Sequence, residues 1–127
     1  MDFSAFERSV LARFAELYGD QSAGLARQIA VATFVKRENT GNGYFTDLAV
    51  DRQAAGPVKC SSPLDGPIVR FEGMTEGIDH LLFLKDGYVY LLEAYAVAGE
   101  DTSSIDFDNL TAQPMTLRYP ILRDIND

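Results

Sequence analysis

The sequence feature that most constrains the fold is an Asp86-Gly87 pair between two apolar runs, residues 78–84 and 88–97. Such a pair favours a two-residue hairpin turn, because both turn positions need a positive φ angle that Asp and Gly tolerate. With Asp86-Gly87 at the tip of the hairpin, the expected cross-strand pairs on one face are Leu84–Val89, Leu82–Leu91 and His80–Glu93. Both faces of this hairpin are mostly apolar. The pattern therefore predicts two central strands that are covered on both sides of the sheet.

A first helix is predicted over residues 4–18. Ser4 and Glu7 match a capping box, in which each side chain accepts a hydrogen bond from the other residue's backbone N–H. The apolar residues of this segment recur at helical spacing and form one stripe: Phe6, Val10, Leu11, Phe14, Leu17 and Tyr18. Gly19 predicts the end of the helix. We expect the stripe to pack on the sheet of the same domain.

A second, shorter helix and a hairpin are predicted next. The helix runs through Leu25 and Ile29, and two polar residues are its candidate N-caps: Asp20 and Ser22. β-branched residues then favour a strand over residues 31–38, which turns through residues 39–42 and returns over residues 43–50. The expected pairs on one face are Val31–Val50, Thr33–Leu48 and Val35–Thr46. This face is apolar and the other is mixed, which is typical of a sheet half covered by helices.

The rest of the chain predicts loops and two short strands. Residues 51–67 are rich in Pro, Gly and Ser and indicate a surface loop, and residues 68–71 a short strand. Residues 98–109 are acidic and small, and indicate a solvated loop. A last strand is predicted from alternating residues: Met115, Leu117 and Tyr119. Helices followed by hairpin-linked strands predict an α+β fold, with an N-terminal helix or helix pair packed on an antiparallel sheet.

The overall composition limits where the protein acts and what it binds. A chain of 127 residues fits a single domain, residues 1–127. Its net charge of −8 argues against nucleic acid and anionic membranes as partners, and it permits a basic protein partner. The sequence contains no apolar run long enough to cross a bilayer and no signal-peptide pattern at its N-terminus. With a single cysteine, the expected location is the reducing cytoplasm.

Few residues are suited to chemistry. The chain has one His, His80, and one Cys, Cys60, so it lacks the ligand spacing of a zinc site. We expect neither a metal nor a cofactor. The Gly-rich residues 40–44 lack the Lys-Ser/Thr of a phosphate loop and are interpreted as a hairpin turn. Glu93 interrupts an apolar run, so it either pairs with His80, Arg70 or Arg118 or is a carboxyl group of raised pKa in a site. We favour the pairing.

Two segments together resemble a known set of sequences: residues 37–48, RENTGNGYFTDL, and residues 83–97, FLKDGYVYLLEAYAV. They are similar to small uncharacterised bacterial proteins that have an R-x-x-T-G-x-G-aromatic-aromatic-T segment and a later Leu-Glu-Gly-Tyr-like segment. Leu92, Glu93 and Tyr95 match the second segment, and Ala94 stands in place of its glycine. The resemblance implies a bacterial source and an antiparallel sheet, and it assigns no catalytic residue.

Three functions are consistent with these patterns. The first is a protein-binding or regulatory module, of the immunity type for example, that caps a basic partner. The second is a homo-oligomer, such as a homodimer, with a tyrosine-rich interface. The third is a small ligand-binding protein or enzyme with a pocket beside Glu93 and His80. The absence of a catalytic set favours the first and a non-enzymatic role. The candidate binding residues are Glu93, His80, Tyr90, Tyr95 and Arg37.

Overall fold

The computed structural model of the chain describes residues 2–19, 23–71 and 74–116. Its elements in chain order are α1 (Ala5–Tyr18), α2 (Ala23–Val31), β1 (Thr33–Asn39), β2 (Gly43–Ala49), β3 (Leu64–Val69), β4 (Ile78–Lys85), β5 (Tyr88–Ala96) and β6 (Met115–Thr116). Neighbouring strands are all antiparallel, in the order β1-β2-β5-β4-β3-β6. Both helices pack against this sheet. The predicted α+β fold is therefore confirmed.

Helix α1 begins with the predicted capping box. The Glu7 N–H donates to Ser4 Oγ over 3.1 Å, and the Ser4 N–H donates to Glu7 Oε1 over 2.9 Å. All six residues of the predicted stripe are buried. The helix ends before Gly19, as predicted, but Gly19 keeps a right-handed conformation with a φ of −59°. The helix therefore ends without the left-handed glycine that commonly follows a helix.

Helix α2 extends to Val31, so the prediction that Val31 begins a strand is wrong. The reason is the buried side chain of Gln28. Its Nε2 donates to the carbonyl oxygens of Gly56 and Gly87 over 2.8 Å, and its Oε1 accepts from the Val89 N–H over 3.0 Å. These bonds fix α2 against the β4–β5 turn and favour a further helical turn. The candidate N-caps lie outside the described residues: Asp20 and Ser22.

The β1–β2 hairpin forms, but its predicted register is wrong. Phe34 pairs with Leu48 and Lys36 with Asp47, which leaves Val35 as the extra residue of a β-bulge. Val35 is exposed instead of facing Thr46 in the core. Without a bulge, Phe34 and Arg37 would point to opposite faces, because they are an odd number of residues apart. The bulge lets both side chains point towards the helices.

The β4–β5 hairpin has the predicted turn, with positive φ angles of 56° at Asp86 and 84° at Gly87. The Leu84–Val89 pair is confirmed. Beyond it the prediction is wrong, because Tyr90 is the extra residue of a second bulge. The pairs there are Phe83–Leu91, Leu82–Leu92, Leu81–Glu93 and His80–Ala94. This bulge lets Val89 and Leu92 both face the helices, where each is almost fully buried.

Strand β3 begins at Leu64, inside the segment predicted to be a loop. The prediction failed because Gly66 and Pro67 were interpreted as loop residues. Gly66 lies under α1, where an added Cβ would come within 2.2–2.7 Å of the Phe14 ring atoms. The glycine is thus needed for the helix to approach the strand. The last strand is present as Met115–Thr116, whereas Leu117 and Tyr119 fall outside the described residues.

The core lies on one side of the sheet, between it and the two helices. The segment between β5 and β6 closes one end of this core, although we predicted a solvated loop there. Thr102 and Phe107 are buried, and Thr102 Oγ1 accepts from the Gly43 N–H over 2.8 Å. On the other side of the sheet, no helix of the described residues packs. The expectation that the central strands are covered on both sides is confirmed for the helix side and stays a prediction for the other.

Candidate functional site

His80 and Glu93 lie on opposite faces of the sheet. His80 is fully buried on the helix side, together with Leu82 and Leu92. Glu93 pairs with Leu81 instead and points to the other side. The predicted His80–Glu93 contact is therefore wrong, since the bulge at Tyr90 shifts β5 by one residue. A single pocket cannot be lined by both side chains.

The hydrogen bonds of His80 give it a structural role. Its Nδ1 lies 3.0 Å from the Pro67 carbonyl oxygen, which can only accept, so Nδ1 carries the proton. The neutral Nε2, 2.9 Å away, then accepts from the Tyr44 hydroxyl. Burial lowers the pKa of His80 to about 4, and the Pro67 hydrogen bond offsets this only in part. Burial, with the nearby charge of Glu7, raises the pKa of Tyr44 well above its usual value.

Arg37, a predicted binding residue, is also structural. Its guanidinium donates to both carboxylate oxygens of Glu7 and to Asp108 Oδ1. Burial lowers the pKa of Arg37, but the hydrogen bonds and charges of Glu7 and Asp108 outweigh it, so that the pKa is raised. Thr46 also donates to Glu7. Arg37 thus joins α1, β1 and the β5–β6 segment and is not available to a ligand.

The face of the sheet away from the helices carries apolar and acidic side chains. On β2, Tyr44, Thr46 and Leu48 are buried on the helix side, so the alternate residues point away from it. The same alternation holds along β4, and along β1 and β5 on each side of their bulges. We name this surface the open face and define it by its residues: Lys36, Glu38, Phe45, Asp47, Leu81, Phe83, Leu91, Glu93 and Tyr95.

The apolar members of the open face are half-buried and adjacent. They are Phe45, Leu81, Phe83, Leu91 and Tyr95. The acidic members are Glu38, Asp47 and Glu93, and the one basic member, Lys36, lies 3.8 Å from Asp47. Within the described part of the chain, Glu93 forms no hydrogen bond or ion pair. An apolar surface that is bordered by polar side chains is typical of an interaction site.

One row of side chains crosses the open face and continues onto β3, with acidic and apolar residues in strict alternation across five strands. We name it the central row; from β1 to β3 it consists of Glu38, Phe45, Glu93, Leu81 and Asp65. The acids therefore stand on every second strand, with an apolar side chain between them. Sequence reasoning missed this row because it depends on both bulges. The only sequence signal was the isolated Glu93 within an apolar run.

The described tyrosines of the two hairpins differ in their surroundings. Tyr44 is fully buried on the helix side, whereas Tyr95 lies on the open face and donates to Asp79 Oδ2 over 3.0 Å. Tyr90 is exposed at the bulge, and Tyr88 stacks under Arg52, 4.4 Å from ring centroid to guanidinium carbon. Burial therefore excludes Tyr44 from the tyrosine-rich interface, and the homo-oligomer stays a prediction.

The described residues were also searched for a metal site, a membrane-spanning helix and a cleft. They contain no group of three His, Cys, Asp or Glu side chains that could hold a metal ion, and no helix among them is long and apolar enough to cross a membrane. A cleft of about 180 Å³ lies between α1 and α2, beside Phe3 and Leu11. The Arg8 guanidinium at this cleft is paired with Asp2 over 2.6 Å.

Comparisons of the chain with protein-family models, with curated proteins and with solved structures found no match.

Proposed function

We propose that the protein is a binding module that recognises a basic protein partner through the open face. The observation that carries this proposal is the alternation of half-buried apolar side chains with carboxylates in the central row. Apolar contact supplies most of the favourable free energy of association. Carboxylates select a partner of opposite charge and accelerate its approach. The net charge of −8 acts in the same direction over longer distances.

The shape of the site favours a protein over a small molecule. Small-molecule sites are concave and enclose most of their ligand, whereas the open face is the surface of a sheet. A module of this kind would act by covering a basic surface of its partner, as an immunity or regulatory protein does. The resulting complex would be weakened by salt, because salt screens exposed charges.

Charge also favours a different protein over a second copy of this chain. Two open faces packed together would bring the carboxylates of Glu38 and Glu93 into a shared interface, whose basic member, Lys36, already pairs with Asp47. Like charges in an interface cost several kcal/mol, on the order of 2–5. The homodimer is therefore the less favoured alternative for this surface.

The test is affinity capture from a lysate of the source cells at low ionic strength. Wild type is compared with Glu38→Lys/Glu93→Lys and with a matched control, Glu16→Lys/Glu76→Lys. The control carries the same charge change at exposed positions away from the central row. We expect wild type and the control to capture basic proteins that the Glu38→Lys/Glu93→Lys variant does not capture. Salt should release these proteins.

Each captured protein is then purified and its Kd measured by calorimetry with all three variants. A partner whose Kd changes equally in both double variants would show that only net charge matters. Equal capture by all three proteins would overturn the proposed binding surface.

A further inference from the structure

We infer that the partner covers the open face with a basic amphipathic α-helix that lies along the central row. This inference rests on the proposed function and adds the structure of the recognised segment. It follows from the spacing of side chains in the row, from their alternating chemistry and from the charge that each position requires of a ligand.

The spacing of the row is close to that of a helix. Neighbouring strands lie about 4.8 Å apart, so the acidic positions on alternate strands recur about every 10 Å. One helical turn rises about 5.4 Å and two turns about 11 Å. Residues seven apart on a helix would therefore stand over successive acids. The difference of about 1 Å per pair is small for flexible Lys or Arg side chains.

The chemistry of the row specifies the helix pattern. Basic residues at positions i and i+7 would face Glu38 and Glu93, and the helix would continue towards β3. Apolar residues one turn after each of these basic residues, at i+3 or i+4 and at i+10 or i+11, would contact Phe45 and Leu81. Such residues share one side of a helix. The complementary segment is thus a helix of about four turns with basic and apolar turns in alternation.

An extended segment fits the row less well. Side chains on one face of a strand recur about every 6.8 Å, which differs from the strand spacing by about 2 Å at each step. The mismatch accumulates across five strands. The row is also the direction about which the strands twist, so it stays straight as the strands rotate. A straight helix can therefore follow it from β1 to β3.

The test uses two synthetic peptides of identical composition, labelled for fluorescence anisotropy at low ionic strength. The first has Lys at every seventh position and Leu one turn later, in an alanine-based helix. The second is a permutation in which the same Lys and Leu residues are spread around the helix. We expect the first peptide to bind wild type about tenfold more tightly, a difference of one decade in Kd.

Two variants of the central row and one control locate the site. Glu93→Gln should weaken binding of the first peptide about threefold, as loss of an exposed ion pair does. Leu81→Ala should weaken it about tenfold, because a central apolar contact is removed. Glu76→Gln removes the same charge as Glu93→Gln, outside the row, and should change the Kd less than about twofold. Amide NMR shifts on titration should be confined to residues on and beside the central row, from β1 to β3.

The outcomes separate this inference from the proposed function. Equal binding of the two peptides overturns the helix and leaves a basic partner in place. The helix is likewise overturned if the capture experiment yields a partner that depends on the open face while the first peptide does not bind. Sedimentation that shows a dimer of wild type, dissociated by Leu81→Ala, assigns the face to a second copy and overturns both.

Discussion

The guanidinium of Arg37 donates to both carboxylate oxygens of Glu7, and the two side chains are only 2% and 0% exposed. Glu7 is at the same time the acidic member of the capping box that begins α1. The Glu7 carboxylate therefore caps the N-terminus of α1 and also neutralises the buried guanidinium of Arg37 on the edge strand β1. This double use ties the position of α1 to the register of β1.

Arg37→Met should lower the free energy of unfolding by about 3–5 kcal/mol, since it leaves the Glu7 carboxylate buried without its counter-ion. Urea denaturation measures the loss. The double variant Glu7→Met/Arg37→Met should lose less than the sum of the two single variants, because no uncompensated charge remains. As a matched control, Arg13→Met breaks the exposed Arg13–Glu16 pair and should cost less than about 1 kcal/mol. Additive effects of the two buried substitutions would contradict this account.

His80 should make the protein less stable as the pH falls. Its pKa is lowered from 6.5 to about 4 in the fold, so the unfolded chain binds the proton more readily. The stabilisation is complete above pH 6.5 and is lost as the pH falls towards 4, up to about 3 kcal/mol at 1.36 kcal/mol per pH unit.

This pH dependence can be assigned because the chain has no other histidine. In His80→Gln, the free energy of unfolding should be almost independent of pH between about 5 and 6.5, whatever its absolute value. The measurement is urea denaturation at several pH values. An equal slope in wild type and variant would assign the titration to another group.

The bulge at Tyr90 can be tested with two neighbouring leucines. Leu92 is fully buried on the helix side, so Leu92→Ala should cost about 2–5 kcal/mol. Leu91 lies half-buried on the open face, and Leu91→Ala should cost about 1 kcal/mol. Thermal unfolding compares them. The reverse order would mean that β5 has the regular register, without the bulge.

The contact of Phe14 with Gly66 should appear as coupling between the two residues. Gly66→Ala places a methyl group within the space of the Phe14 ring and should cost about 1–3 kcal/mol through overpacking. Phe14→Leu should be destabilising in wild type but less so, or stabilising, in the Gly66→Ala background. A coupling of about 1 kcal/mol or more in the double-mutant cycle is expected. Purely additive effects would place the ring elsewhere.

At the β4–β5 turn, Gly87→Ala should cost about 1–2 kcal/mol from its left-handed backbone alone. A Cβ there would also come within 2.8 Å of Pro57, which adds to the loss. Asp86→Asn is the control, because Asn tolerates the left-handed conformation as Asp does. It should be close to neutral in chemical denaturation. An equal loss in both variants would rule out the backbone as the cause.

Local signals in the sequence were sufficient for part of the fold. The capping box at Ser4 and the turn at Asp86-Gly87 depend only on nearby residues, and both are confirmed. The bulges at Val35 and Tyr90 were not predictable in the same way. Each exists because two side chains three residues apart must both face the helices, which is a requirement of tertiary packing. Strict alternation, the only rule available from sequence, therefore gave the wrong register.

In the candidate site, too, features set by nearby residues were predictable and features set by tertiary packing were not. Glu93 was recognisable as a carboxylate within an apolar strand, and its partner was misassigned because the register was wrong by one residue. Arg37 was named as a binding residue, and its burial depends on Glu7, thirty positions earlier in the chain. Neither the partner of Glu93 nor the burial of Arg37 can be inferred from the spacing of nearby residues.

Val35 has a further consequence, for aggregation. An edge strand with regular, unpaired N–H and C=O groups can add a strand from another molecule, and successive additions produce fibrils. On β1, the bulge at Val35 interrupts the ladder, and the charged residues Lys36 and Glu38 follow directly. These features discourage strand addition at that edge, so that molecules at high concentration would contact one another through surfaces other than β1.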